Sequence, residues 1–312
     1  MQEFDVGFYF KMLRMKGYEF ILSTPMRGTT TQGRLNPSEL RKLALRGVLS
    51  ALGYDEMMTF SFVSRKAIAS LGLSEEDPRM HPLMLRNPLG EDTSCMRTTL
   101  APDMLRVLSN NRSYGNASAM LYEFGTLFDA TRRTEEGLPR ESSALSLGCY
   151  GSGLDFYSVR GAAEALCASQ GVTVQIVPGA DCYYHPGRSA HLVHGETTVA
   201  QLGQIHPDIA AVFDVSESTL LAEIDMDALF ALSQPMQEAV PLSRMQPVSR
   251  DLALVLPSSQ PLGPVMETLR DCAGPWLEDI RLFDVFSGAQ LGVGLKSAAF
   301  SMTFRSMDQT LT

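Results

Sequence analysis

Three groups of residues in this chain have types and spacings that could do chemistry. His185-Pro186-Gly187-Arg188 sets an imidazole close to a guanidinium, a combination able to polarise a phosphate or a carboxylate. The same letters describe a structured turn, since Pro presets φ and Gly permits a tight bend. The turn is the expected outcome, with Arg188 pairing to a nearby carboxylate or to a partner chain. Arg97, in Met96-Arg97-Thr98-Thr99, stands just before a helical stretch and could grip a phosphate, with Glu123 and Glu223 as acidic companions for a metal-bound nucleotide. No later glycine-rich segment ends in a second arginine, so Arg97 is expected to serve as a structural ion-pairing residue. Arg244, Arg250, Lys296 and Arg305 surround Phe283 and Phe286, which is the composition of an RNA-facing patch: cations for phosphates, rings for stacking. Asp251, Asp279 and Asp284 dilute that patch, and its ordinary reading is solvated charge around core phenylalanines. His206-Pro207 reads as a cap leading into a helical turn over 208–213 rather than as a catalytic base.

The elements that position these residues follow from periodicity. Asn36-Pro37-Ser38-Glu39 supplies an N-cap, a proline at the first helical position and a glutamate three residues after the cap. Leu40, Leu43, Ala44, Gly47, Val48, Ala51 and Leu52 then recur at helical spacing up to Gly53. Met58, Phe60 and Phe62 alternate with Met57, Thr59 and Ser61, which predicts a strand. A second helix is expected from about Thr99, with Leu100, Met104, Leu105 and Leu108 on one face, and a third over 158–170. Strands are expected at 118–129, 143–151, 172–177, 190–194, 198–204 and 219–224. Helices followed by many strands on short loops favour an α+β domain with a largely antiparallel sheet. Pro235, Pro241 and Pro247 mark a boundary, after which a strand (251–256), a helix (262–272) and two strands (280–286 and 297–305) give the β-α-β-β opening of a ferredoxin-like unit. The last helix and strand of that unit would lie beyond Thr312, so the domain is expected to be partial.

The bulk properties narrow the class. A formal net charge of −9 argues against strong nonspecific nucleic-acid binding by the whole chain, so any RNA contact must be a local basic face or a partner's. Five scattered cysteines without a CxxC pair suit a reducing compartment and give no zinc-site spacing. No apolar run approaches the ~20 residues of a membrane span, and a cytoplasmic location with no membrane partner is expected. No GxGxxG or GxxxxGK[ST] follows a strand.

Ordered along the chain are Thr30-Thr31-Gln32-Gly33-Arg34-Leu35, Gly53-Tyr54-Asp55-Glu56, Thr59-Phe60-Ser61-Phe62-Val63, Asn87-Pro88-Leu89, Met96-Arg97-Thr98-Thr99-Leu100, Tyr122-Glu123-Phe124-Gly125, Asp155-Phe156-Tyr157, His185-Pro186-Gly187-Arg188-Ser189-Ala190, Gly203-Gln204-Ile205-His206-Pro207, Arg250-Asp251-Leu252-Ala253, Phe283-Asp284-Val285-Phe286 and Lys296-Ser297. Each is weak alone; in this order they resemble the C-terminal part of the β subunit of bacterial phenylalanyl-tRNA synthetase. That resemblance implies a class II synthetase-like antiparallel sheet with helices over 36–233, lacking catalytic residues, then a linker over 234–247. A ferredoxin-like anticodon-binding-type domain over 248–312 would follow, with a remnant of a preceding helical domain over 1–35. It implies a scaffold for a catalytic α subunit in an α2β2 assembly, contact with tRNA(Phe), and ATP and Mg²⁺ as cofactors of the holoenzyme but not of this chain. The family's upstream tRNA-binding and editing domains have no counterpart here, so no editing activity is expected. Where the family has acidic magnesium ligands this chain has Phe10 and Lys11, so no metal site is expected. A free-standing RNA-binding or regulatory paralogue, an independent ligase and an inert fragment are the alternatives.

Overall fold

The computed structural model describes residues 11–12, 14–17, 25–30, 32–234 and 243–311. Phe10, most of the expected remnant over 1–35 and most of the expected linker over 234–247 lie outside them. The chain divides into two compact units, Met1–Met236 and Gln237–Thr312.

The first unit is built on a seven-stranded sheet ordered β1-β4-β5-β9-β8-β7-β6. Its strands are β1 (Asp55–Glu56), β4 (Ala119–Arg133), β5 (Pro139–Tyr150), β6 (Gln175–Pro178), β7 (Tyr184–His194), β8 (Thr197–Ile205) and β9 (Leu220–Asp225). A small pair, β2 (Phe62–Val63) with β3 (Cys95–Met96), stands apart from it. Among the described residues only β1 with β4 runs parallel in this sheet; the other pairs are antiparallel, as the short loops predict.

Helix α1 (Pro37–Ala51) starts as its sequence requires: the Asn36 side chain accepts from Ser38 N at 3.1 Å and Pro37 occupies the first turn. Leu45 and Leu49 are buried beneath it, whereas Leu40 and Leu43 remain 51% and 56% exposed. The apolar stripe of α1 is therefore wider than this unit's core uses. A short α2 (Arg65–Ala69) follows β2, capped by the Ser64 side chain. One sheet face is covered by α1, α4 (Phe156–Ser169) and α6 (Met226–Leu232), which share a core of Leu145, Leu147, Val159, Leu166, Leu202 and Ile224. On the other face α3 (Ala101–Ser113) packs Met104, Leu105 and Leu108 against Tyr150, Leu221 and Ile205. Gly148 makes that approach possible, because a Cβ there would meet Met104 at 2.6 Å.

The strand expected through Met58, Phe60 and Phe62 does not form over 57–61; β1 ends at Glu56 and β2 begins at Phe62. Met57 N still donates to the Tyr122 carbonyl at 2.8 Å and the Ser61 carbonyl accepts from Arg97 N at 3.0 Å, but between them Thr59 N donates to a side chain, Glu123 Oε1, at 3.0 Å, which interrupts the ladder. Met58 and Phe60 are left 90% and 75% exposed. The helix α5 (Pro207–Val212) sits where the cap reading put it, with His206 Nδ1 accepting from Asp208 N at 3.3 Å.

The second unit has a three-stranded antiparallel sheet, ordered β10 (Val248–Pro257), β12 (Leu295–Phe304), β11 (Leu277–Phe286), with α7 (Leu262–Cys272) in sequence between β10 and β11. Inserting the third strand between the first two is the arrangement a split β-α-β unit gives. Leu252, Leu254 and Leu256 alternate along β10. Leu254 and Leu256 join Ala298, Phe300 and Ile280 against Val265 and Leu269 of α7.

Candidate functional site

The sheet register aligns one polar row across five strands. Glu123 of β4 lies opposite Ser146 of β5, Ser146 opposite Glu223 of β9, Glu223 opposite Gln201 of β8, and Gln201 opposite His191 of β7. Because partners in a ladder project to the same side of the sheet, all five stand on one face, which α3 covers only in part. Two openings lie over this row. One, of about 330 Å³, is lined by Arg79, Thr99, His191, Gln201 and Glu223; the other, of about 280 Å³, by Lys42, Thr59, Arg97 and Glu123.

Every strong charge over the row is already bonded. Arg97 Nη1 lies 2.9 Å from Glu123 Oε1, with both side chains almost wholly buried. Arg97 Nε donates to the Thr126 carbonyl at 3.0 Å, and Thr59 Oγ1 donates to both Glu123 oxygens at 2.9 Å. Gly125 is what lets the guanidinium lie flat on β4, since a Cβ there would stand 2.5 Å from Arg97 Nη2. Glu223 accepts from Thr99 Oγ1 at 2.5 Å, from the Tyr183 hydroxyl and from Gln201 Nε2 at 3.3 Å. Burial holds the Tyr183 phenol well above its ordinary pKa, which keeps it a donor. Arg79 bridges Asp77 (2.7 Å) and Asp181 (2.6 Å). The hydrogen bond from Arg79 holds Asp77 below the usual carboxylate range. Burial pushes Asp181 up, but the bonds from Arg79 and Gln201 outweigh it and the net shift is downward.

Phosphate capture needs an uncommitted guanidinium, and nucleotide-bound Mg²⁺ needs carboxylate oxygens free to coordinate. Arg97 and Arg79 are neutralised by carboxylates, and the oxygens of Glu123 and Glu223 are occupied by donors, so this row does not fit a metal–nucleotide complex. Among the described residues no group of three His, Cys, Asp or Glu side chains could hold a metal ion. Sequence reasoning named Arg97, Glu123 and Glu223 but missed Gln201, Tyr183 and Arg79, whose approach depends on strand register.

The remaining candidates are scattered. His185-Pro186-Gly187-Arg188 is not a turn but an irregular stretch of β7, where the register with β8 shifts between Tyr184 and Ser189. Gly187 N donates to His185 Nδ1 at 3.1 Å. Arg188 Nη1 donates to the Gln204 amide oxygen at 2.8 Å, so an amide takes the place of the expected carboxylate. In the second unit Lys296 Nζ donates to the carbonyls of Ser258 (3.0 Å) and Gln260 (2.6 Å), pinning the loop after β10. Arg305 Nε pairs with Glu278 at 2.8 Å. Arg244 is exposed, and among the described residues exposed Arg250 bonds the neighbouring Ser249 carbonyl alone, at 3.0 Å. Phe283 and Phe286 are half exposed.

A sheet of this order, flanked by helices and carrying a polar row on one face, has the fold of an aminoacyl-tRNA synthetase core. A solved pyrrolysyl-tRNA synthetase from Desulfitobacterium hafniense aligns at TM-score 0.52 and 15% identity, over 62% of this chain and 68% of that one. A second structure of that organism's enzyme aligns at 0.52 and 13% identity, over 64% and 71%. Residues 21–226 match the family described as phenylalanyl tRNA synthetase beta chain CLM domain, and residues 243–312 match the ferredoxin-fold anticodon binding domain. This chain belongs to the phenylalanyl-tRNA synthetase β-chain family. The phenylalanine–tRNA ligase β subunit of Syntrophotalea carbinolica is 32% identical over 99% of this chain and 40% of its own length. That of Moorella thermoacetica is 31% identical over 97% and 39%, and that of Clostridium tetani 30% over 97% and 38%. The chain spans about two fifths of the length of these relatives.

Proposed function

We propose that this chain serves phenylalanine–tRNA ligase as a non-catalytic portion of its β subunit, supporting the catalytic α subunit in an α2β2 assembly in the cytoplasm. The observation that carries this reading is the buried Arg97–Glu123 pair in a family-matched synthetase fold: the guanidinium best placed to hold a phosphate is spent inside the protein. ATP and Mg²⁺ then act in the α subunit. Leu40, Leu43, Met58 and Phe60, all exposed, form the apolar material available for burial against α. The domain limits 36–233 and 248–312 separate a scaffold from an anticodon-binding-type module. Within that module Arg244 and Arg250 are the residues assigned to tRNA(Phe) phosphates. Lys296 and Arg305 join them only if they exchange their internal partners for phosphate.

Co-expression with the matching α subunit and purification through a tag on α tests this. The full chain is expected to co-elute in equimolar amount, and Met58→Asp with Phe60→Asp to abolish co-elution while leaving the chain folded. A wild-type chain that never associates with α would overturn the proposal.

A further inference from the structure

A groove of about 640 Å³, larger than either opening over the polar row and within the range of small-ligand sites, lies elsewhere in the first unit. Two sequence motifs that the scaffold role leaves unused meet there: Asp155-Phe156-Tyr157 at the start of α4 and Gly187-Arg188-Ser189 in β7. Arg188 is held by Gln204, whose own Nε2 is anchored on the Glu217 carbonyl at 2.5 Å. Arg79, Arg97 and Arg160, by contrast, all bond carboxylates. A guanidinium fixed by a neutral acceptor is pre-positioned yet keeps its charge and its other N–H donors for an incoming anion. The carboxylate in the groove, Asp155, is occupied as the cap of α4, accepting from Ser158 N and Oγ at 3.0 Å. Tyr157 is 69% exposed and braced edge-on by Phe156, with ring centroids 5.7 Å apart. A presented ring beside an uncompensated guanidinium, over apolar Leu154, Ile176 and Leu220, is the combination that takes a base by stacking and its phosphate by charge.

We infer that this groove is a nucleotide-binding site, with the base on Tyr157 and the phosphate on Arg188. It is independent of the assigned patch at Arg244 and Arg250, and it can fail while the scaffold role stands. Fluorescence anisotropy with a labelled mixed-sequence hexaribonucleotide tests it, using the full chain carrying Arg244→Gln and Arg250→Gln so that the other patch is silent. Tyr157→Ala and Arg188→Gln are each expected to weaken binding by about fivefold or more, and Tyr157→Phe to retain it. Arg188→Gln should also lower the salt dependence by about 0.7 in log–log slope, which a merely structural role would not do. Displacement of the oligomer by AMP identifies the mononucleotide as sufficient; its failure to displace identifies an RNA strand as the source. Unchanged affinity in both variants, or Arg188-dependent binding of the acidic peptide Asp-Asp-Phe-Asp with none of RNA, would overturn the inference.

Discussion

Arg97 shows how a residue type can advertise one chemistry and perform another. Its pair with Glu123 is buried on both sides and backed by Thr59 and the Thr126 carbonyl. Removing one partner leaves an uncompensated buried charge, which costs about 3–5 kcal/mol, whereas replacing both by apolar groups can be nearly neutral. Urea denaturation should therefore show Arg97→Met destabilising the first unit by roughly that amount, and Arg97→Met with Glu123→Leu recovering most of it. A phosphate-binding arginine would give the reverse pattern, with activity lost and stability kept. The Arg79 bridge makes a pH-dependent statement. Asp77 and Asp181 are both depressed in the folded state, so they stabilise the fold above the unfolded carboxylate value of about 3.9 and lose that contribution as pH falls through their lower folded values. Thermal midpoints of the parent and of Arg79→Met should differ most near neutral pH and converge below about pH 4.

Elements were legible in the sequence to the degree that their signals are local. The α1 cap, the α3 apolar face and the β-α-β-β order of the second unit can each be read from neighbouring residues, because caps and periodicity are properties of a few turns. The segment 57–61 departs from its pattern, since its alternation is that of a strand while its middle residue, Thr59, gives its N–H to the Glu123 side chain and the flanking bonds go to two different segments, at Tyr122 and Arg97. Of the polar row only Glu123 and Glu223 could be named from sequence, because Glu123, Ser146, Glu223, Gln201 and His191 are brought together by the register of five strands. Arg188 sat in a motif with the look of a turn, and only the bulge in β7 directs it to Gln204. The register also makes glycine matter at Gly125, where any side chain would strike Arg97 and Leu100 at 2.5 and 2.6 Å. Gly125→Ala should cost about 1–3 kcal/mol in the same denaturation assay, with the loss reduced when Arg97 is also shortened to Met.

At the scale of the whole molecule, a synthetase fold whose phosphate-gripping position is closed by its own carboxylates is suited to being a scaffold. In the proposed function the α subunit is the partner of that scaffold, and Leu40 and Leu43 of α1 with Met58 and Phe60 are exposed apolar groups available to it. The most direct measurement is phenylalanine- and tRNA-dependent aminoacylation, assayed with this chain alone, with the matching α subunit alone and with the two combined. Charged tRNA is expected only from the combination, with an unchanged yield per complex when Glu223→Gln alters the polar row. Charging by this chain alone, or its loss in a Glu223→Gln complex that remains assembled, would contradict the scaffold role.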